Sequence, residues 1–214
     1  SFEPQTLFYP EKCIHCGMCE QGCYAGARVV CGKEYTAEEL LAELLLDKDY
    51  YGAEGGVTFS GGEPLAQKEF LSEAIDACRA NGVNCAAETS LIYYDEKIFQ
   101  KLDFVMADLK IWDSNIHKEY TGVGNEQIKE NFNWLDRLSI PIIARTPVIP
   151  EIEQGIDKIS EFMKELKNVV QYELLPYHPL GNSKRKALGE EEKYFDIPTK
   201  EVMDSLNQYS FERR

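Results

Sequence analysis

The chain has 214 residues, 43% of them hydrophobic and 28% charged, enough for one large domain with a small appendage and a core that needs no staples. Its 23 Lys and Arg against 37 Asp and Glu give a formal net charge of −14, which argues against a nucleic-acid partner and fits a soluble cytoplasmic protein acting on a protein or a small molecule. No apolar run is long enough to span a membrane, no signal-peptide pattern is present, and the first residue is Ser1 rather than Met, so the chain is read as a fragment or a processed product.

Residues 1–12, with Pro4, Pro10 and scattered aromatics, read as an extended lead-in. Next comes Cys13-Ile-His-Cys16-Gly-Met-Cys19-Glu-Gln-Gly-Cys23, a C-x2-C-x2-C-x3-C run. Short gaps, with Gly17 and Gly22 among them, let one loop wrap thiolates around a cube, which is the ferredoxin spacing for a [4Fe–4S] cluster. Zinc is the competing reading, but four-cysteine zinc sites usually come as two separated C-x2-C pairs. Tyr24 stands where such runs usually carry proline, and no second run of four follows, so Cys23 either closes a lone cluster or is left over. Cys31 is a substitute ligand or a small buried residue, and His15 reads as a surface residue near the cluster.

Thr36-Ala-Glu-Glu39 is a capping box, with Tyr35 and Leu40 placed as a hydrophobic staple. The helix it opens carries Leu41, Leu44 and Leu45 and is expected to fray at Asp47–Asp49. Gly55-Gly-Val-Thr-Phe-Ser-Gly-Gly-Glu-Pro64 then reads as a strand, a glycine turn and a helix start. After it strands and helices alternate. A helix from about Ala66 stops at Asn81-Gly82, and a strand runs over Val83–Ala87. A helix near Asp95–Lys101 precedes the strand Phe104–Ala107, and residues 111–124 read as a long loop. A helix from about Glu126 leads to the strand Pro141–Val148, a helix carrying Ile156, Ile159 and Met163 follows, and Val169–Leu175 is the last strand. Residues 179–197 read as a polar loop, and a final helix begins near Pro198.

Five strands alternating with helices predict a parallel sheet. Glu63, Glu88, Asp108, Lys110 and His178 all fall at or just beyond the C-terminal ends of those strands, where α/β folds place active sites. Arg145 lies inside its strand and points either into a barrel or toward the helices. A buried arginine needs a partner, and an anionic ligand is one.

At this point the sequence resembles the glycyl radical enzyme activating enzymes, radical S-adenosylmethionine proteins that include the pyruvate formate-lyase activating enzymes. The resemblance rests on the glycine-rich stretch 55–64, Glu88-Thr89, Met106-Ala-Asp108-Leu-Lys110, Arg145, and Leu174-Leu-Pro-Tyr-His178, in that order over essentially the whole chain. It implies an α/β fold, a partial (β/α)6 TIM-like barrel with five of six strands over 35–214, preceded by a small ferredoxin-like cluster insert and lead-in over 1–34. It also implies a site. Gly61, Gly62 and Glu63 would hold the methionyl amino group of S-adenosylmethionine, Glu88, Thr89, Met106 and Asp108 its carboxylate end, and Lys110, Arg145 and His178 would make further contacts. Cys13, Cys16, Cys19 and Cys23 would hold the insert cluster. Ser90-Leu91 departs from the Asn-Gly or Ser-Gly that often follows Glu/Asp-Thr in this family.

The family's radical chemistry runs on a separate [4Fe–4S] cluster held by C-x3-C-x2-C, and no such triplet occurs here; after Cys19 and Cys23 the next required position is Gly26. The expectation is therefore an N-terminally truncated activating enzyme. Its full-length parent would carry the second cluster, cleave S-adenosylmethionine to a 5′-deoxyadenosyl radical, and take a hydrogen from a glycine of a partner glycyl radical enzyme. A flavodoxin- or ferredoxin-type donor would supply electrons, in an anaerobic host. An open barrel edge predicts poor solubility. Two other readings remain: an iron–sulfur electron carrier that binds no S-adenosylmethionine, and a non-catalytic module that docks a glycyl radical enzyme.

Overall fold

The glycine-rich stretch does form a strand, and it starts the sheet. The computed structural model describes Tyr9, residues 12–187 and residues 191–213. Apart from Tyr9 and Lys12, the lead-in expected over residues 1–12 lies outside the described residues, as does part of the polar loop expected at 179–197. In chain order the helices are α1 (Met18–Gln21), α2 (Ala37–Leu44), α3 (Lys48–Tyr51), α4 (Lys68–Ala80), α5 (Glu96–Phe99), α6 (Ser114–Thr121), α7 (Glu126–Asp136), α8 (Ile156–Glu165), α9 (Asn182–Ala187) and α10 (Lys200–Leu206). The strands are β1 (Gly56–Phe59), β2 (Asn84–Thr89), β3 (Phe104–Asp108), β4 (Ile142–Val148), β5 (Val169–Pro176) and β6 (Phe211–Glu212).

The sheet order is β1-β2-β3-β4-β5-β6, so each strand lies beside its predecessor in the chain. The first five pair in parallel, the singly wound order of a barrel rather than a doubly wound sheet. The sixth is not a further barrel strand. It is a two-residue antiparallel edge in which Gln171 faces Glu212 and Tyr172 faces Phe211, and it follows a helix that was expected to end the chain.

The described residues fall into two compact units. One runs to Glu34 and includes His178–Tyr194; the other holds Tyr35–Tyr177 and the residues from Phe195 onward. The second unit contains the whole sheet. Alternation sorts its side chains onto two faces. Val105, Ala107, Ile142, Ala144 and Tyr172 are buried beneath helices that contribute Ile75, Phe99, Phe132, Leu135 and Met163. Met106, Asp108, Ile143 and Arg145 point the other way and stay partly open. Burial pushes the Tyr172 phenol up to about 12, and its hydroxyl donates to Thr146 Oγ1 at 3.0 Å.

Local chemistry sets the element ends. The Thr36 hydroxyl accepts from the Glu39 amide at 3.2 Å and the Glu39 carboxylate accepts from the Thr36 amide at 2.9 Å, so the capping box is complete. The chain does not fray after α2: a 3-10 turn at Leu45–Asp47 passes directly into α3. Gly82 stops α4 with φ of 68°. The expected loop at 111–124 contains α6, capped by Asp113, whose carboxylate accepts from the amides of Asn115 and Ile116, and ended by Gly122 at φ 87°. Part of the expected polar loop after β5 is likewise helical, as α9.

Candidate functional site

The four glycines of the 55–64 stretch serve two purposes. A Cβ on Gly55 would lie 2.3 Å from the Tyr51 carbonyl oxygen, and one on Gly56 only 2.1 Å from that of Asn84. These two allow protein backbone to approach. Gly61 and Gly62 have nothing within 4 Å of a built Cβ, and Gly61 has φ of 129°. The second pair therefore leaves the turn as an open cradle.

Glu63 follows that cradle and is held from β2. Thr89 Oγ1 donates to Glu63 Oε1 at 2.7 Å; the amide and hydroxyl of Ser90 donate to Oε2 at 2.9 and 2.7 Å. The Leu65 amide adds a 3.3 Å contact to Oε1. A carboxylate has about four lone-pair sites, and protein donors reach all of them here. Glu63 thus braces the turn against β2. Thr89, expected to line a carboxylate, is buried and spends its hydroxyl on Glu63 and on the Leu91 amide at 3.0 Å.

Leu91 takes φ of 56°, the left-handed region that glycine occupies without cost. Its side chain is nevertheless fully buried, and Asn131 on α7 donates to its carbonyl at 2.7 Å. Tertiary packing thus imposes on leucine a turn that the sequence resemblance associates with Asn-Gly or Ser-Gly.

Along the open face of the sheet four of the expected residues, Glu88, Asp108, Lys110 and Arg145, form one connected ladder. Asp108 lies beside Arg145, and Arg145 beside Glu173, in the β3–β4–β5 register. The Arg145 guanidinium donates to Glu88 Oε1 at 2.6 Å, to Asp108 Oδ1 at 3.1 and 3.2 Å, and contacts Met106 Sδ at 3.6 Å. Lys110 Nζ sits 3.3 Å from Asp108 Oδ2, and the Ser60 hydroxyl donates to Glu88 at 3.3 Å. Arg145 therefore points into the open face, not toward the helices. The bond from Arg145 holds the Glu88 carboxyl below its ordinary range against the opposing effect of burial. Burial would lower the Arg145 pKa, but Asp108 and Glu88 overcome it and raise the value. Ser60, Ser90 and Glu173 were not expected in the site; only the side-by-side register brings Glu173 next to Arg145, and its carboxylate accepts from Gln171 at 2.7 Å.

In the other unit, Cys13, Cys16, Cys19 and Cys23 are all unbridged, with Cys13 and Cys23 half-buried. The loop winds through positive φ at His15, Gly17 and Gly26, and the Ala27 amide donates to Cys23 Sγ at 3.2 Å. An amide aimed at sulfur favours a thiolate, so the donor set and the winding suit a cluster. Among the described residues no group of three or more His, Cys, Asp or Glu side chains is gathered as for a metal ion. Cys31 and His15 are both exposed. His178 belongs to this unit, at the start of a 3-10 turn over Pro179–Gly181.

A family model described as the radical SAM superfamily matches residues 10–163. The chain belongs to that superfamily. Its curated relatives are glycyl radical enzyme activating enzymes. A 4-hydroxyphenylacetate decarboxylase activating enzyme of Clostridioides difficile is 41% identical over 190 residues, covering 83% of this chain and 58% of the relative. A pyruvate formate-lyase-activating enzyme of Clostridium pasteurianum is 36% identical over 188 residues, covering 85% of this chain and 78% of the relative. The crystal structure of a domain of a pyruvate-formate lyase-activating enzyme from Bacteroides vulgatus superposes with a TM-score of 0.60 at 29% identity, covering 72% of this chain and 91% of that one. The chain thus spans little more than half the length of the first of these relatives. As a radical SAM protein it implies S-adenosylmethionine and a [4Fe–4S] cluster. The partial-barrel reading of the sheet agrees with the fold of that crystal structure. Among the described residues no helix is long and apolar enough to cross a membrane.

Proposed function

We propose that this chain is the S-adenosylmethionine-holding part of an activating enzyme for a glycyl radical enzyme. The observation that carries this reading is the Gly61-Gly62 cradle, open on its ligand side, set next to the Ser60–Glu88–Arg145–Asp108–Lys110 ladder. A zwitterionic ligand needs acceptors for its ammonium and donors for its carboxylate, on supports that do not move. Backbone carbonyls at Gly61 and Gly62 suit the ammonium. Lys110 and Arg145 suit the carboxylate, with Glu88 and Asp108 holding the guanidinium in place and Met106 beside it. Thr89 and Ser90 act by bracing Glu63. When bound, S-adenosylmethionine and a reduced [4Fe–4S] cluster supply the radical that abstracts a glycine hydrogen. No C-x3-C-x2-C triplet lies within the 214 residues, so this chain is assigned binding and orientation, not radical generation. His178 is assigned a further cofactor contact only on the Leu-Leu-Pro-Tyr-His match.

Cys13, Cys16, Cys19 and Cys23 are assigned a second [4Fe–4S] cluster, with a flavodoxin- or ferredoxin-type donor as electron source and a glycyl radical enzyme as protein partner. Support comes from the spacing, the loop winding and the Ala27–Cys23 bond. Residues 1–34 are proposed as the insert with its lead-in and 35–214 as the barrel part.

Equilibrium dialysis of S-adenosylmethionine against the anaerobically reconstituted chain tests the reading. Saturable binding is expected, weakened about tenfold or more by Gly62→Val and by Arg145→Met. A folded, iron-loaded chain that takes up no S-adenosylmethionine at millimolar concentration refutes it and favours the electron-carrier reading.

A further inference from the structure

Beside the Asp108–Lys110 end of the ladder lies a cavity of about 320 Å³. Ile92, Val123 and Ile128 give it an apolar wall, the Tyr93 ring adds a flat side, and Lys110 and His117 supply its charged and polar ends. His117 is only 2% exposed, and the structure shows what its ring offers. The Nδ1 atom lies 2.7 Å from the Val123 carbonyl, which can only accept, so Nδ1 carries the proton. Burial keeps the imidazole neutral by lowering its pKa, against the effect of that backbone bond. In this tautomer Nε2 is a bare acceptor.

Nε2 has no partner among the described residues, yet it is not sealed. The one buried side-chain atom found unpaired among the described residues is Asn125 Oδ1. Nε2 therefore reaches open space, and the open space that His117 lines is this cavity. At the other end Lys110 Nζ has Asp108 on one side at 3.3 Å, and an ammonium has three donors. A pocket of this size takes a ligand of one ring.

We propose that this cavity is a binding site for a small carboxylate with a ring-sized apolar body and a hydrogen-bond donor at its far end. The carboxylate meets Lys110, the body lies against Ile92, Val123 and Ile128, and the donor meets His117 Nε2. The site shares Asp108 and Lys110 with the S-adenosylmethionine reading, so the two ligands compete for the Lys110 ammonium, whereas His117 and the apolar wall belong to this site alone and variants there tell the two apart.

The probe is 4-hydroxybenzoate, which carries carboxylate, ring and phenol donor, titrated into the full chain and followed by ligand-observed NMR. Benzoate lacks the donor and phenol lacks the carboxylate. Saturable binding of 4-hydroxybenzoate is expected, with both truncated probes about tenfold weaker. Val123→Phe fills the cavity from a partly exposed position, so the fold tolerates it; it should abolish 4-hydroxybenzoate binding and leave S-adenosylmethionine binding unchanged. His117→Phe should remove the preference for 4-hydroxybenzoate over benzoate. No saturable binding by the folded chain, equal binding of all three probes, or undiminished binding by Val123→Phe each overturns the proposal. Loss of S-adenosylmethionine binding in otherwise folded wild type, with 4-hydroxybenzoate binding intact, overturns only the cofactor reading.

Discussion

Leu91 offers a sharp test of how the Glu63 brace is built. Its φ of 56° costs an L-residue about 1–2 kcal/mol relative to glycine. Its buried side chain brings more than that back: truncating a core leucine to alanine costs about 2–5 kcal/mol. Leu91→Ala loses the packing and keeps the strain. Leu91→Gly loses slightly more packing but releases the strain. At ordinary positions glycine is the less stable of the two, because its unfolded chain has more freedom, by about 0.4–1 kcal/mol. Here the order should invert, with Leu91→Gly more stable than Leu91→Ala by about 0.5–1 kcal/mol and both less stable than wild type, the alanine variant by about 2–5 kcal/mol and the glycine variant by about 1–4.5 kcal/mol. Urea unfolding of the three proteins, compared at equal m-values, gives the answer. An alanine variant equal to or more stable than the glycine variant would show that the left-handed turn is not imposed by the fold. The Thr89–Glu63–Ser90 brace would then need another explanation.

The two glycine pairs should separate on substitution. Gly56→Ala forces a methyl into the Asn84 carbonyl and should disrupt the β1–β2 edge, read as loss of cooperative unfolding; Gly62→Ala meets open space and should leave unfolding nearly unchanged while weakening S-adenosylmethionine binding. Arg145→Met leaves Glu88 and Asp108 facing each other without their shared cation. Because Arg145 is the main reason the Glu88 carboxyl is depressed, the variant should raise the Glu88 pKa in a carboxyl NMR titration. In wild type that depressed value stabilises the fold above the ordinary carboxylate range and is lost as the pH falls through the folded value. The variant's deficit should therefore shrink in acid. His117 titrates below its ordinary 6.5, so its contribution to stability is complete above that value and declines as the pH drops beneath it; His117→Gln should flatten the melting temperature between about pH 7 and 5. Cys16→Ser should lower iron content after reconstitution while unfolding of the sheet-containing unit is unchanged, since its cysteine belongs to the other unit.

Much of this arrangement can be read locally. The Thr36–Glu39 box, the Asn81-Gly82 stop and the run of period-2 apolar segments depend on residues a few positions apart, and each appears where its chemistry requires. Helix α6 was missed within the expected loop at 111–124: Asp113 before Ser114 and Gly122 after Thr121 are its cap signals, but its polar composition hid the helical period. Strand β6 was not legible, because two residues carry no period and exist as a strand only through pairing with β5.

The sequence by itself determined the strand count of the parallel sheet, the polar residues at the strand ends and the cysteine spacing, since these follow from turn chemistry, alternation and loop length. Tertiary structure alone decided how those residues are used. It turned Arg145 toward Glu88 and Asp108, placed Glu173 beside it, and spent Thr89 and Ser90 on Glu63. It also held Leu91 in a glycine's conformation by burying its side chain and pairing its carbonyl with Asn131. Contacts across strands, with partners 26 to 57 residues apart, have no local signature, because register and face are fixed only when the sheet assembles.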